Sequence, residues 1–140
     1  MAAPSAPSRR KSLPFSASLA DQPPAEWAGQ VESLLVRGFP LHEVILLHRP
    51  SRTLVLTDLC FNIHRSSSRV ARLFFRANGM WQRFGPSRIL RHVVTDRSAF
   101  RDSLERVLQW DFERIVPGHG EVIEHGGPAA LRAAWHLATR

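Results

Sequence analysis

Two short apolar runs lie close together in the first half of the chain, separated by a turn-like segment. They cover residues 42–48 and 53–59, and the sequence between them is Arg-Pro-Ser-Arg. Apolar runs of this length, joined by a short polar turn, predict a β-hairpin that is buried on both faces. An earlier strand is predicted at 31–36, because Gly38 and Pro40 interrupt the pattern after it.

A helical spacing replaces the strand pattern after Asn62. Apolar residues recur at intervals near 3.6 and predict a helix over 67–84, which serines can cap and which Gly79 weakens. The apolar positions that define this helix are Val70, Phe74, Ala77 and Trp81.

The last third of the chain alternates between helical and strand patterns. Asp96 or Ser98 can cap a helix with one apolar stripe. Residues 112–116 then predict a short strand, 117–121 its turn, 122–127 a second short strand, and 128–140 a helix with proline in its first turn. The stripe of the capped helix consists of Phe100, Leu104, Val107 and Leu108.

This order of elements predicts an α+β layered fold built from a hairpin, helices, a short strand and a C-terminal helix. Residues 1–26 are rich in Ala, Pro and Ser and predict an extended or weakly ordered segment, whereas 27–140 form the domain. The predicted strands are apolar on both faces, and the helices suffice to cover one face well. We therefore expect a missing partner layer, or self-association through the uncovered sheet.

Composition narrows the class of protein. A chain of 140 residues with 44% hydrophobic and 22% charged residues is typical of one globular domain. The single cysteine, Cys60, is predicted to lie in the core; it cannot form an internal disulfide and fits a reducing compartment such as the cytoplasm. The basic, Ser-rich start resembles an organelle transit peptide in composition, but a surface segment is the favoured interpretation. No run approaches the roughly 20 apolar residues of a membrane helix.

Two residues at predicted strand ends carry the candidate chemistry. Asp58 ends an apolar strand, where a carboxylate is costly to bury unless it is paired or binds a cation. His119 follows the next strand and is flanked by two glycines, which would let the backbone approach a ligand closely. Because α/β folds place ligands at neighbouring strand ends, we expect both side chains at one edge of the sheet. The alternatives are that Asp58 pairs with Arg52 and that His119 is only a turn residue.

The sequences Leu-Val-Leu-Thr-Asp, ending at Asp58, and Arg-Ile-Val-Pro-Gly-His-Gly, which contains His119, resemble the second half of the metallo-β-lactamase superfamily. The segment from Trp27 to Ile63 is similar to an uncharacterised family of β-lactamase-like proteins, and the resemblance extends over roughly 13–135. It implies the C-terminal half of an αββα fold and metal-dependent hydrolysis with zinc or iron. It also implies that Asp58 bridges two metal ions and orients the nucleophilic water, and that His119 is the last ligand.

The chain departs from that superfamily in its metal ligands. The His-x-His-x-Asp-His motif is absent, and no His-x-His sequence occurs at all. His42 is the one candidate for the middle histidine ligand, but it lies only 16 residues before Asp58 and outside a Gly-His turn. A catalytic zinc needs about three protein ligands and a water. The sequence therefore predicts an incomplete or vestigial metal site with weak or no hydrolase activity and an unknown small-molecule substrate.

A second class of function rests on arginines. The net charge is +7, and five arginines are spaced along the first predicted helix at near-helical intervals. Such a stripe can bind an acidic partner, either nucleic acid or an anionic membrane surface, in a non-enzymatic protein. The simpler interpretation is a solvated helix face whose arginine stems cover apolar surface. The residues of this predicted patch are Arg65, Arg69, Arg72, Arg76 and Arg83.

The remaining candidate residues are interpreted as structural. Glu43 and His48 can bond to each other across the hairpin, and His64 is expected at the surface. His92, His125 and His136 have no ligand-like spacing. The sequence contains neither a phosphate-binding loop nor a nucleophile elbow.

Overall fold

A computed structural model of the chain describes residue 19 and residues 21–136. Within these residues, a 3-10 turn at Ala25–Trp27 precedes a mixed α+β arrangement of two sheets and four α-helices. The strands are β1 (Val31–Leu35), β2 (Val44–His48), β3 (Thr53–Val55), β4 (Phe61–Asn62), β5 (Arg114–Val116) and β6 (His119–Gly120). The helices are α1 (Arg69–Ala77), α2 (Arg88–His92), α3 (Arg97–Val107) and α4 (Gly127–Trp135).

The main sheet has the strand order β1-β2-β3-β5. The pairs β1–β2 and β2–β3 are antiparallel, so the predicted hairpin is confirmed. The chain then passes through α1, α2 and α3 before β5 joins β3 in parallel. β3 ends at Val55 rather than at residue 59, although the backbone N–H of Leu56 still donates to the Val116 carbonyl at 2.9 Å. The strand ends of β3 and β5 thus lie side by side.

One apolar core joins the sheet to the helices. Ile45 on β2, Leu54 on β3 and Ile115 on β5 are fully buried. Three of the four residues in the predicted stripe of α3 pack into the same core, and Leu108 is half-buried at its edge. The sequence alone identified this contact because the apolar residues keep a helical spacing. The buried stripe residues are Phe100, Leu104 and Val107.

The starts of α3 and α4 agree with the sequence. Of the two predicted caps, it is Asp96 that accepts a hydrogen bond from the Ala99 N–H, at 3.0 Å. α4 begins at Gly127 with Pro128 in its first turn. The predicted end of this helix, 137–140, lies outside the described residues.

α1 is half as long as predicted, and its apolar side faces outward. It ends at Ala77 because Gly79 adopts a left-handed conformation, and the Met80 N–H donates to the Phe75 carbonyl across the last turn. No residue of α1 is buried, so Val70 and Phe74 lie at the surface rather than in the core. The predicted helix over 67–84 is therefore confirmed only for 69–77, and the apolar positions that define it on α1 face outward.

The region after β5 also differs from the prediction. The segment 117–121 was expected to be a turn, but His119–Gly120 forms β6, which pairs in parallel with β4. The predicted strand at 122–127 is reduced to one bridge between Ile123 and Ile115. The extra pairing of β6 draws the histidine into a second, two-stranded sheet.

Of the predicted N-terminal segment, 1–18 and 20 lie outside the described residues. The part that is described contacts the sheet through Asp21. Its carboxylate accepts hydrogen bonds from the Leu35 N–H at 2.9 Å and from the Arg37 guanidinium at 2.8 Å. Burial acts to raise the pKa of Asp21, but these hydrogen bonds and the positive charges of Arg37 and Arg106 together outweigh it, so the pKa lies below the ordinary value of 3.8.

Asp21→Asn should lower the free energy of unfolding by up to about 1 kcal/mol, because the ion pair with Arg37 is partly exposed. A carboxylate whose pKa is lowered on folding stabilises the protein above pH 3.8, and this contribution is lost as the pH falls below that value. Urea unfolding at pH 6 and pH 3 should therefore show a larger difference between the two proteins at pH 6 than at pH 3. Asp102→Asn, at an exposed site, is the control; an equal effect of both substitutions would contradict the prediction.

Cys60 should resist alkylation in the folded protein. It is fully buried, and burial raises the pKa of its thiol far above the ordinary 9.0, so the reactive thiolate does not form. We expect reaction with iodoacetamide at pH 8 only after denaturant is added, as measured by mass spectrometry. Modification of the native chain at the rate of a free thiol would show that the core opens around Cys60.

Candidate functional site

The ends of β3 and β5 bring Asp58 and His119 together. The two residues are separated by 61 positions in sequence, yet the Nε2 atom of His119 lies 3.2 Å from Oδ1 of Asp58. The parallel pairing of β3 with β5 explains this, because both residues leave their strands at the same edge. Each side chain is about half exposed, so the pair is accessible from solvent.

The backbone at Asp58 is held by a buried carboxylate. Glu43 is 3% exposed and precedes β2 directly. Its Oε1 atom accepts the Thr57 N–H at 2.7 Å, and its Oε2 atom accepts the Asp58 N–H at 3.0 Å. The Thr57 hydroxyl also donates to Oε2. Three donors therefore satisfy Glu43 and fix Thr57 and Asp58, which lie just beyond Leu56 after the end of β3.

The glycine before His119 packs against the same corner. The Gly118 N–H donates to the Thr57 carbonyl at 3.2 Å, and a Cβ atom on Gly118 would lie 2.6 Å from that carbonyl oxygen. Any side chain at this position would push the two strand ends apart. The close approach is therefore between two protein backbones, and not between backbone and a ligand as the sequence suggested.

The glycine after His119 has a different packing requirement. Gly120 has a φ of 106°, and a Cβ atom there would collide with the Asn62 carbonyl of β4. The Asn62 amide donates to the Glu121 carbonyl at 2.8 Å and closes this contact. The pairing of β4 with β6 thus needs glycine at this position.

The imidazole of His119 lies against an aromatic ring. It stacks on Phe61 with a centroid distance of 5.4 Å and an interplanar angle of 15°. This stacking and the pairing of β6 with β4 together hold the ring with Nε2 toward Asp58. The His119 ring is therefore held by Phe61 and by the pairing of β6, and it does not lie in a flexible turn.

An apolar groove of about 350 Å³ opens beside the pair. Asp58 and His119 are its only ionisable lining residues, and most of the others are aliphatic or aromatic. The groove extends from the pair to the exposed side of α1. Its apolar lining includes Leu41, Phe61, Phe74, Met80 and Ile89.

Asp58 and His119 do not gain a third ligand within the part of the chain that the structure describes. No group of three His, Cys, Asp or Glu side chains there is placed to hold a metal ion. His42 lies exposed in the connection between β1 and β2 and does not join the pair in such a group. Two donors are fewer than the three protein ligands of a catalytic zinc.

The five predicted patch arginines do not share one helix. Arg65 precedes α1 and pairs with Glu121 at 3.1 Å, while Arg83 follows it and donates to the Gly79 carbonyl. Arg76 lies over the Trp81 ring at 5.7 Å. The predicted stripe is therefore reduced to the three arginines that α1 contains, which are Arg69, Arg72 and Arg76.

The other candidate residues make local contacts. Arg52 pairs with Asp111 rather than with Asp58. The Nδ1 atom of His48 lies 2.7 Å from the Ser51 hydroxyl, whereas Glu43 accepts hydrogen bonds from Thr57 and Asp58. His64 lies 2.8 Å from Asn62.

Three more histidines lie away from the pair. His136 contacts Arg91 at 2.8 Å, His125 lies near Glu113 at 3.9 Å, and His92 is exposed on α2.

Glu43 is the residue that sequence reasoning missed. An acidic side chain directly before a buried strand needs partners, and a Thr-Asp pair at the end of the next strand can supply them. That combination was visible in the sequence. The hydrogen bond between Glu43 and Thr57 depends on the register of β2 and β3, which brings the two residues together.

No protein-family model matches the chain, and no curated protein matches it either. The function of this site therefore has to be inferred from its geometry.

Glu43→Gln should lower the free energy of unfolding by about 1–3 kcal/mol, because one acceptor oxygen becomes a donor that faces backbone N–H groups. Urea unfolding measures this change. Glu32→Gln is the matched control, since Glu32 forms only an exposed pair with Arg49 and should change stability by less than about 1 kcal/mol. Equal effects of the two substitutions would show that Glu43 does not hold the Thr57–Asp58 corner.

Proposed function

We propose that this chain is a metallo-β-lactamase-like protein with an incomplete metal-hydrolase site, in which Asp58 and His119 are the remaining ligands. The observation that carries the proposal is the 3.2 Å contact between a carboxylate and an imidazole at one sheet edge. Oxygen and imidazole nitrogen are donors that zinc and ferrous iron both accept. A bound ion would act as a Lewis acid at the open end of the groove.

Several features of the site support the proposal. The pair is half exposed, so an ion and water can reach it. Glu43, Gly118 and Phe61 fix the backbone and ring positions, which is the arrangement expected around a metal ligand. With two protein ligands, the chain should bind the ion weakly and show little or no hydrolysis. The buried, unpaired Cys60 fits a reducing, cytoplasmic location, which we include in the proposal.

Zinc titration tests this proposal directly. We expect weak binding by calorimetry, with zinc lost on gel filtration, and a zinc-dependent change in the His119 ring signals by NMR. Asp58→Asn and His119→Gln should each remove the binding. His125→Gln is the matched control, because His125 also lies near a carboxylate but is far more exposed and should not contribute.

Two results would overturn the proposal. One is a full equivalent of zinc or iron that stays bound through gel filtration, since a complete site would then exist. The other is zinc binding that is indifferent to both Asp58→Asn and His119→Gln. Hydrolysis of p-nitrophenyl acetate with added zinc should not exceed the rate of the Asp58→Asn variant.

A further inference from the structure

The large apolar side chains that are exposed in the described part of the chain are concentrated on one side. Val70, Leu73 and Phe74 lie on α1, where they are 78%, 69% and 52% exposed. Leu41 and Ile89 are exposed as well and line the apolar groove together with Phe74. These five residues form what we call the apolar patch. Single exposed apolar residues are common, but a cluster of this kind marks an interaction surface.

Four of the five residues of the apolar patch lie in a strongly basic part of the sequence. Residues 59–95 contain seven arginines and no aspartate or glutamate. Three of these arginines, Arg69, Arg72 and Arg76, follow one face of α1 beside the exposed apolar residues. In the described part of the chain none of the three forms an ion pair. A partner that covers this surface must therefore combine apolar groups with negative charge.

Charge argues against covering the patch with this chain itself. A second copy would bring the same arginines to the contact, and like charges facing each other are unfavourable. The N-terminal residues 1–18 carry Arg9, Arg10 and Lys11 and no acidic residue, so they would be repelled in the same way. The complementary partner has to come from another source.

We propose that α1 and the mouth of the groove dock on the surface of a bilayer that contains anionic phospholipid. The arginines of α1 contact the lipid phosphates, and Val70, Leu73 and Phe74 enter the boundary with the acyl chains. A helix with an apolar face and a basic border is typical of interfacial binding. Nucleic acid would use the arginines but gain little from exposed valine and leucine.

In this mode of docking, α1 lies parallel to the membrane surface. α1 has nine residues, and none of the described helices is long and apolar enough to cross a bilayer. The inference does not depend on the metal site, because it uses no property of Asp58 or His119.

Vesicle sedimentation of the full chain tests the proposal. We expect binding to vesicles of phosphatidylcholine with 30% phosphatidylglycerol, and none to pure phosphatidylcholine. Arg69→Gln with Arg72→Gln should weaken binding about 30-fold, since each arginine near an anionic surface contributes about fivefold. The control removes two arginines from α3, as Arg97→Gln with Arg106→Gln, and should have a smaller effect.

The apolar contribution needs its own variant. Val70→Ser with Leu73→Ser should weaken binding about tenfold or more without unfolding the protein, because both side chains are already exposed. Val122→Ser, at an exposed apolar residue outside the patch, is the matched control. Retained binding in the first variant would mean simple charge attraction and would overturn the proposed docking.

A fluorescent label gives an independent measurement. Because Cys60 is buried, a Leu73→Cys variant can be labelled selectively with an environment-sensitive dye. Anionic vesicles should shift its emission to shorter wavelength, and the same label in Val122→Cys should not respond. No shift at residue 73, or tight binding to a 20-nucleotide DNA without vesicle binding, would overturn the proposal.

Discussion

One buried carboxylate fixes the edge of the sheet where Asp58 and His119 meet. Glu43 accepts three hydrogen bonds from Thr57 and Asp58, shortly after β3, so the direction in which the chain leaves that strand is set before any external group is present. A buried carboxylate without those donors would destabilise the fold strongly, and the donors would otherwise lose their acceptor. The stability of the core and the geometry of the pair therefore depend on the same contact.

The position of His119 follows from that corner through backbone contacts. Gly118 packs on the Thr57 carbonyl, and Gly120 packs on the Asn62 carbonyl of β4. His119 belongs to the two-stranded sheet of β4 and β6, and the contact of Gly118 with Thr57 joins this sheet to the end of β3 in the main sheet. The glycines allow this because neither position has room for a Cβ atom. The close packing of the backbone, rather than flexibility, explains why glycine flanks the imidazole.

Much of the fold was predictable, because its signals are local or periodic. The hairpin of β2 and β3, the Asp96 cap and the buried stripe of α3 each follow from neighbouring residues. The meeting of Asp58 with His119 required only one further rule, that adjacent parallel strands end at the same edge. The outward orientation of the apolar face of α1 was not predictable. An apolar stripe shows which residues share a face of a helix, but it does not show whether that face packs on the core. The partners of Glu43 likewise depend on strand register, which no local pattern contains.

The stacking of His119 on Phe61 has a consequence for approach to the imidazole. One face of the ring is covered at a centroid distance of 5.4 Å, so incoming molecules meet its edge or its opposite face. The edge that carries Nε2 points to Asp58, and both groups border the apolar groove while remaining about half exposed. A solute that lies in the groove loses part of its hydration to the apolar side chains, whereas one that reaches the pair from the solvent side does not.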